Sequence, residues 1–152
     1  MENRKFLDDN YERVINRVNK VKDKLLGIPY LHNGRSYQGV DCLGLIFIFF
    51  KELGINLPES DGHFIEEDWY KKDPYRYING LKKIGDEVGH FRNLQVLDIL
   101  YFRLYKNIIT HSGVMLDEKR FLHVLIDKEV RIDSMERRYW RAKYAGARRL
   151  FK

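Results

Sequence analysis

The 152-residue sequence contains one cysteine, three prolines and no long apolar run. One cysteine excludes an internal disulfide. The longest apolar run, Leu43 to Phe50 interrupted only by Gly44, is far shorter than the roughly 18 residues that indicate a membrane span. The first 27 residues are charged throughout and lack the apolar stretch of a signal peptide. We therefore expect a protein without a membrane span or an export signal, cytoplasmic as synthesised.

The composition is that of a folded globule, with 44% hydrophobic and 14% aromatic residues. Its length predicts a single domain over residues 1–152. Lys and Arg outnumber Asp and Glu by 28 to 22, a formal charge of +6. The basic residues are dispersed, and the densest cluster, Arg137 to Arg149, is interleaved with apolar residues. We interpret it as a solvated face on a closing strand or helix and expect no nucleic-acid partner, because no recognition motif accompanies it.

Apolar spacing predicts helices first and strands afterwards. An N-terminal helix is predicted over about residues 8–26, within the segment 1–26, and is followed by a turn-rich loop over residues 28–40. An apolar core helix is predicted from Asp41 to Leu53, ending at Gly54. Residues 58–80 are predicted to form a short helix and a surface loop, and Ile78 to Val88 a second short helix. Strands are predicted at Val96–Leu104, Ile108–Leu116, Phe121–Ile126, Val130–Ile132 and Ala145–Phe151.

Cys42 stands at a position that favours a reactive thiol. If Asp41 caps the core helix, Cys42 is its first residue, where free backbone N–H groups and the helix dipole stabilise an anion. A thiol at such a place shifts towards thiolate, and the same N–H groups can bind an oxyanion. A structural cysteine packed at a helix start is an equally good explanation from position alone.

Two of the five histidines, His111 and His123, lie in predicted strands, 12 residues apart across a turn near Asp117 to Lys119. On adjacent antiparallel strands they share a face if the connection has an odd length or a bulge shifts the register. One imidazole could then accept the thiol proton while the other orients it. A zinc site formed by Cys42, His111 and His123 is a weaker alternative, because zinc ligands usually include a closely spaced pair. We expect no metal and no cofactor.

Five segments, in this order, resemble the NlpC/P60 family of papain-like cysteine peptidases, which cleave peptidoglycan stem peptides: PYLHNGRSYQGVDCLGLI, LDILYFRL, THSGVML, RFLHV and YAGARR. The resemblance covers about residues 25–151. It implies an α+β papain-like fold, in which N-terminal helices, including a core helix that bears the nucleophile, pack on a C-terminal antiparallel β-sheet. It also implies the roles of four site residues: Cys42 as nucleophile, His111 as base, His123 as the group that orients the base, and Tyr30 as an oxyanion donor.

The sequence departs from the family pattern at three places. Leu43 follows the cysteine where the family usually has Ser, Ser112 follows the histidine where Val is usual, and Leu97-Asp98 replaces Gly-Asp. None of these changes removes a predicted catalytic group.

The resemblance also implies a substrate and a setting. The substrate would be a peptidoglycan stem peptide or muropeptide, cut between D-glutamate and the diamino acid. The small form without a wall-binding module is similar to phage and prophage tail-associated members, which implies phage tail partners and action at the cell wall from a virion. The aromatic loop with Trp69, Tyr70, Tyr75 and Tyr77 is a candidate groove lining, although core packing or surface filling is the better explanation for any one of these residues. The alternatives are a papain-like acyltransferase or amidase on another small amide, and a non-catalytic tail or assembly module.

Overall fold

A computed structural model of the chain describes residues 11–55, 57, 85–105 and 107–150. The predicted helix and loop over residues 58–80, with the four aromatic residues of that loop, lie outside the described residues. Within the described ranges the chain forms three α-helices: α1 Tyr11–Leu25, α2 Cys42–Glu52 and α3 Arg138–Lys143. The strands are β1 Arg35–Ser36, β2 Gly39–Val40, β3 Asp86–Val88, β4 Ile99–Tyr105, β5 Ile108–Met115, β6 Arg120–His123, β7 Arg131–Ser134 and β8 Tyr144–Arg149.

The helix α1 is amphipathic and follows the predicted pattern. Its buried residues recur every three or four positions and form one apolar stripe: Val14, Val18, Val21 and Leu25. The helix ends before Gly27, whose φ of 88° lies in the left-handed region that glycine adopts without strain. The predicted end of this helix is therefore confirmed to within one residue.

The central sheet has six strands in the order β3-β8-β4-β5-β6-β7, and every neighbouring pair is antiparallel. The strands β4 to β7 form the predicted meander, and β8 returns to the other side of β4. The predicted loop over residues 28–40 contains the two-residue strands β1 and β2, which pair with each other. The predicted α+β fold class is thus confirmed, with α2 packed against β5.

The predicted short helix near Ile78 to Val88 is wrong at its C-terminal end. The structure places Asp86–Val88 in strand β3, paired with β8, and residues 78–84 lie outside the described part of the chain. The pairing sets Asp86 opposite Arg149 and Glu87 opposite Arg148. Opposite charges on facing strand positions stabilise a sheet edge, and this long-range contact overrides the local pattern.

Two hydrophobic clusters cover the two faces of the sheet. The first joins residues of α1 and α2, such as Val18 and Phe49, to Val114 and Leu122 of the sheet. The second joins Phe102, Phe121 and Met115 to Trp140 of α3. The strands β4, β5 and β6 each contribute residues to both clusters, because successive side chains of a strand point to opposite faces of the sheet.

Candidate active site

Cys42 is the first residue of α2, as the sequence predicts, and Asp41 caps that helix. The Asp41 Oδ1 atom accepts a hydrogen bond from the Gly44 backbone N–H at 2.7 Å. Its Oδ2 atom accepts one from the Asn33 N–H at 3.0 Å, and Arg35 donates to Oδ1 at 2.6 Å. The cap therefore also ties the preceding loop to the helix start, which fixes the backbone on both sides of the thiol.

Gly44 allows the loop to lie against the first turn of α2. A Cβ atom added at Gly44 would lie 1.9 Å from the Gly34 carbonyl oxygen, closer than any side chain permits. That carbonyl accepts a hydrogen bond from Arg35 at 2.9 Å. The absence of a side chain at Gly44 is thus a condition for the loop that precedes Cys42.

His111 and His123 contact each other directly, because the register of β5 and β6 meets the condition set out above. Val114 pairs with Leu122 and Met115 with Phe121, and extending this register sets His123 opposite Gly113, two residues after His111. The His111 Nε2 and His123 Nδ1 atoms are 2.8 Å apart. A Cβ at Gly113 would lie 3.3 Å from the His123 Cβ, so this glycine leaves room for the diagonal contact.

A third side chain, Asp133 on β7, extends the pair. The His123 Nε2 atom lies 2.7 Å from Asp133 Oδ2, and Arg137 donates to Asp133 Oδ1 at 2.7 Å. His123 pairs directly with Arg131, so Asp133 is again two residues along the strand on the same face. The chain His111–His123–Asp133–Arg137, called the histidine relay below, therefore runs diagonally across three strands and ends before α3.

Aromatic rings enclose the two histidines. Phe102 lies 5.7 Å from the His111 ring, Phe121 lies 4.8 Å from the His123 ring, and Trp140 is within 6 Å of both. His111 is 3% exposed and His123 is fully buried. Burial, together with the charge of the neighbouring His123, holds the pKa of His111 well below its usual value.

The pKa of His123 is also lowered. Burial is the main cause and nearby Arg131 adds to it, whereas the hydrogen bond to Asp133 and its charge act in the opposite direction. Both imidazoles are consequently neutral at neutral pH, when each ring carries one proton and one lone pair.

Tyr30, the fourth predicted site residue, lies in the loop that precedes Cys42. It forms an isolated parallel bridge with Val40, and its N–H donates to the Lys128 carbonyl at 2.9 Å. Tyr30 and Cys42 are both half-buried and pack against the first hydrophobic cluster. The structure thus brings His111 and His123 together. It pairs Tyr30 with Val40, two residues before Cys42, while the role of the Tyr30 hydroxyl stays a prediction.

Neither a metal site nor a membrane-spanning helix is found in the described part of the chain. Among the described residues, no group of three or more His, Cys, Asp and Glu side chains is arranged to hold a metal ion. The helices in the same part of the chain are all too short or too polar to cross a membrane.

Sequence reasoning missed Asp133 and Trp140. The only available signal for Asp133 was its place in the short strand segment RIDS, where alternation puts Arg131 and Asp133 on one face. Nothing in that alternation predicts which residue of β6 the carboxylate meets. Trp140 stands in the basic segment that predicted a closing strand or helix, and the structure divides this segment between α3 and β8.

The fold and the helix-start cysteine define a papain-like protein of α+β class. The sequence model of the NlpC/P60 family matches residues 27–149. The chain therefore belongs to the NlpC/P60 family.

Curated relatives bear the names of peptidoglycan hydrolases. The chain is 27% identical over 126 residues to the probable peptidoglycan endopeptidase LytE of Bacillus subtilis. The aligned region covers 82% of this chain but only 31% of LytE. The chain is also 27% identical over 150 residues to the murein DD-endopeptidase MepS/murein LD-carboxypeptidase of Escherichia coli, covering 93% of this chain and 69% of MepS. The chain thus spans about a third of one relative and about two thirds of the other.

Solved structures support the same fold. An NlpC/P60 family protein from Bacillus cereus superposes with a TM-score of 0.67 at 23% identity, over 91% of this chain and 40% of that one. RipD from Mycobacterium tuberculosis, described as a non-catalytic NlpC/p60 domain protein adapted to peptidoglycan binding, superposes with a TM-score of 0.59 at 16% identity over 91% of this chain and 98% of that one. These likenesses show the fold, and function must be argued from the residues of the site.

Proposed function

We propose that this chain is a cysteine peptidase that hydrolyses an amide bond of peptidoglycan stem peptides, with Cys42 as nucleophile, His111 as base and His123 as the group that orients it. The observation that carries the proposal is the 2.8 Å contact between the two buried histidines, on a sheet whose strand β5 packs against the helix that Cys42 begins. The names of the endopeptidase relatives support the substrate class.

The chemistry starts with a proton transfer. The Cys42 thiol gives its proton to His111, and the thiolate attacks the carbonyl carbon of the scissile amide. The carbonyl oxygen becomes an oxyanion, for which the Cys42 backbone N–H and the Tyr30 hydroxyl are the proposed donors. Removing one such donor typically lowers the rate about 10²- to 10³-fold.

The intermediate then collapses. The carbon–nitrogen bond breaks, His111 returns its proton to the leaving amine, and an acyl thioester remains on Cys42. His111 next takes a proton from water, the hydroxide attacks the thioester, and the thiol is regenerated as the carboxylic acid product leaves. The bond between D-glutamate and the diamino acid is the proposed cleavage point.

The Cys42→Ala variant tests the mechanism. Purified muropeptides are digested with the wild type and the variant, and the products are identified by mass spectrometry. We expect turnover to be abolished in the variant, because the chain has no other thiol to act as nucleophile. His90→Gln serves as a control substitution, since His90 is exposed and caps a 3-10 turn.

The product masses also separate the alternatives. Unchanged activity in Cys42→Ala would contradict the mechanism, and product masses that place the cut elsewhere would move the scissile bond. Acyl products formed with added amines would favour the acyltransferase. No cleavage by the wild type would favour a binding module of the kind that the description of RipD names. The association with phage tail proteins, and delivery to the wall in a virion, remain proposals that rest on the resemblance.

A further inference from the structure

The histidine relay has a direction that follows from its acidic end. An ionised carboxylate can only accept hydrogen bonds, so at 2.7 Å from Asp133 Oδ2 the His123 Nε2 atom must carry a proton. Neutral His123 then has a lone pair on Nδ1, which accepts a hydrogen bond from the His111 Nε2–H across 2.8 Å. The Nδ1 atom of His111 is left with its lone pair, and it is the only ring nitrogen that the relay does not use.

We propose that Asp133 is a positioning residue for the reaction: acting through His123, it holds the proton of His111 on Nε2 and thereby keeps Nδ1 free to accept the Cys42 thiol proton. This inference rests on the proposed function of Cys42 and His111. When the thiol is deprotonated, its proton bonds to His111 Nδ1 and the ring becomes an imidazolium. His123 stays neutral, Asp133 stays a carboxylate, and no proton moves along the relay.

Arg137 fixes the second oxygen of Asp133. It donates to Oδ1 at 2.7 Å, while Oδ2 faces His123. The arginine side chain is 61% exposed and that of Asp133 is 15% exposed, so the carboxylate bridges solvent and the buried imidazole. Among the described residues, the charged groups that act on the two imidazoles of the relay are Asp133 and Arg131 of β7, and the helix α2, which begins at Cys42, packs against β5.

The substitution Asp133→Asn is expected to reverse the relay. The Arg137 donor favours the amide oxygen of the introduced side chain, which turns the amide NH₂ group towards His123 Nε2. His123 must then carry its proton on Nδ1 and donate to His111 Nε2, so that the proton of His111 moves to Nδ1. The base is blocked although the side chains keep their places.

The first measurement is cleavage of muropeptides by the wild type and the variants. For Asp133→Asn we expect kcat/KM to fall about 10- to 100-fold, mostly in kcat, which is part of the roughly 10²- to 10⁴-fold that general acid–base catalysis supplies. Glu136→Gln is the matched control, because it makes the same chemical change at a side chain that is 61% exposed and pairs with Lys119. Asp133→Glu restores the carboxylate and should recover part of the loss.

The second measurement needs no substrate. Cys42 is the chain's single cysteine, so the rate of alkylation by iodoacetamide reports on this thiol alone. We expect Asp133→Asn to lower the rate at neutral pH about 10-fold and to move the midpoint of the rate–pH curve upward by about one pH unit, the equivalent of a tenfold change in the proton equilibrium. Glu136→Gln should follow the wild-type curve.

A double variant distinguishes an effect on the direction of the relay's hydrogen bonds from a merely structural effect of Asp133. Arg137→Met alone should lower kcat/KM by no more than about 3-fold, since the carboxylate still accepts from His123. In Asp133→Asn with Arg137→Met, the amide can turn its oxygen to His123, so activity and alkylation should recover towards those of Arg137→Met. A merely structural role predicts that the two losses add.

The outcomes are distinct. A wild-type alkylation curve in Asp133→Asn, or additive losses in the double variant, would overturn the positioning role. If the wild type cleaves no muropeptide while the alkylation curve shifts as described, the proposed function fails and the relay stands. If Cys42→Ala abolishes cleavage and Asp133→Asn behaves like Glu136→Gln, the mechanism stands and the relay fails.

Discussion

Two polar networks with buried central side chains lie in the same sheet, and they differ in how they end. At the start of β4, Asp98 accepts two hydrogen bonds from Arg149 of β8, at 2.9 and 2.8 Å, and a third from the Gln95 N–H at 2.9 Å. Arg149 also donates to the Asn93 carbonyl at 2.7 Å. This group, called the Asp98 network below, closes on itself. The histidine relay, in contrast, ends on a ring nitrogen of His111 that no member of the relay uses.

The difference has a physical meaning. A buried network in which donors and acceptors are matched stabilises the fold and fixes its geometry, as Asp98 fixes the junction of β4 and β8. A network that ends on a lone pair it does not use makes fewer hydrogen bonds of its own and therefore contributes less to stability. That same lone pair is able to accept a proton. The comparison therefore assigns stability to the Asp98 network and reactivity to the histidine relay.

Breaking the Asp98 network should have the largest effect on stability. Asp98 is 1% exposed, and Arg149→Met would leave its carboxylate buried without a charge partner. We expect a loss of about 3 kcal/mol in the free energy of unfolding, the lower end of the range for a broken buried pair, because 24% of the Arg149 side chain is exposed. Urea unfolding measures it, with Arg103→Met at an exposed position of β4 as control.

Urea unfolding of Arg149→Met at several pH values tests the role of the Asp98 charge. Burial raises the pKa of Asp98 even beside Arg149, whose hydrogen bond and charge oppose the shift. Without Arg149 the Asp98 carboxyl group should take up a proton more readily, so the stability lost in Arg149→Met should become smaller as the pH falls.

The matching substitution in the histidine relay, Asp133→Asn, should lower the free energy of unfolding by only about 1 kcal/mol, the usual net value of a hydrogen bond. Equal losses in the two variants would erase the distinction between the networks.

Acid should destabilise the fold through the histidine relay. The folded-state pKa of His111 lies well below the unfolded value of 6.5, mainly because the ring is buried, and that of His123 is lowered too. The unfolded chain therefore binds more protons below that pH, and stability that is complete above it is lost as the pH falls. One group contributes at most about 1.4 kcal/mol per pH unit.

His111→Gln tests this dependence, because it removes the titrating ring and keeps a donor for His123. Urea unfolding from neutral pH to about pH 5 should show a shallower loss in the variant than in the wild type, by about 1–2 kcal/mol at the acidic end. Asp98, whose pKa is raised, contributes in the opposite direction in both proteins and cancels in the difference. Parallel curves would mean that the buried pair does not titrate on unfolding.

The sequence predicts the features of this site that depend on neighbouring residues. Asp41 and Gly54 bracket α2 as expected, because a helix cap and a glycine stop act within a few residues. The contact between His111 and His123 could be predicted only as a condition, since it depends on the register of two strands.

Asp133 lay beyond prediction for the same reason, with a further strand and a longer connection between it and His123. Residues 124–130 set that connection. Within this connection Asp127 has a φ of 62°, and Glu129 forms a β-bridge with the distant Pro29. No local sequence pattern indicates either feature. The strand β3 likewise depends on its pairing with the distant β8. Local patterns therefore predict the position of Cys42 at the start of α2, whereas the long-range register of the strands determines the relay.

Leu97, the residue before Asp98, tests a smaller effect, the backbone strain of a residue with a side chain at positive φ. It stands where the family pattern has glycine, and its φ of 73° lies in the left-handed region that costs a residue with a side chain about 1–2 kcal/mol. The side chain is only 6% exposed and belongs to the first hydrophobic cluster, whose burial offsets that strain. Both Leu97→Ala and Leu97→Gly should therefore destabilise the fold.

The difference in stability between these two variants measures the backbone strain at position 97. Leu97→Ala loses the buried side chain and keeps the strain, whereas Leu97→Gly loses the side chain and relieves the strain, so the glycine variant should be more stable by about 1 kcal/mol. At Lys20, an exposed position inside α1, the order should reverse, because glycine is about 1 kcal/mol worse than alanine in a helix. Urea unfolding of the four variants measures both differences. If alanine were the more stable at both positions, the backbone at Leu97 would carry no strain, and the departure from glycine would need another physical cause.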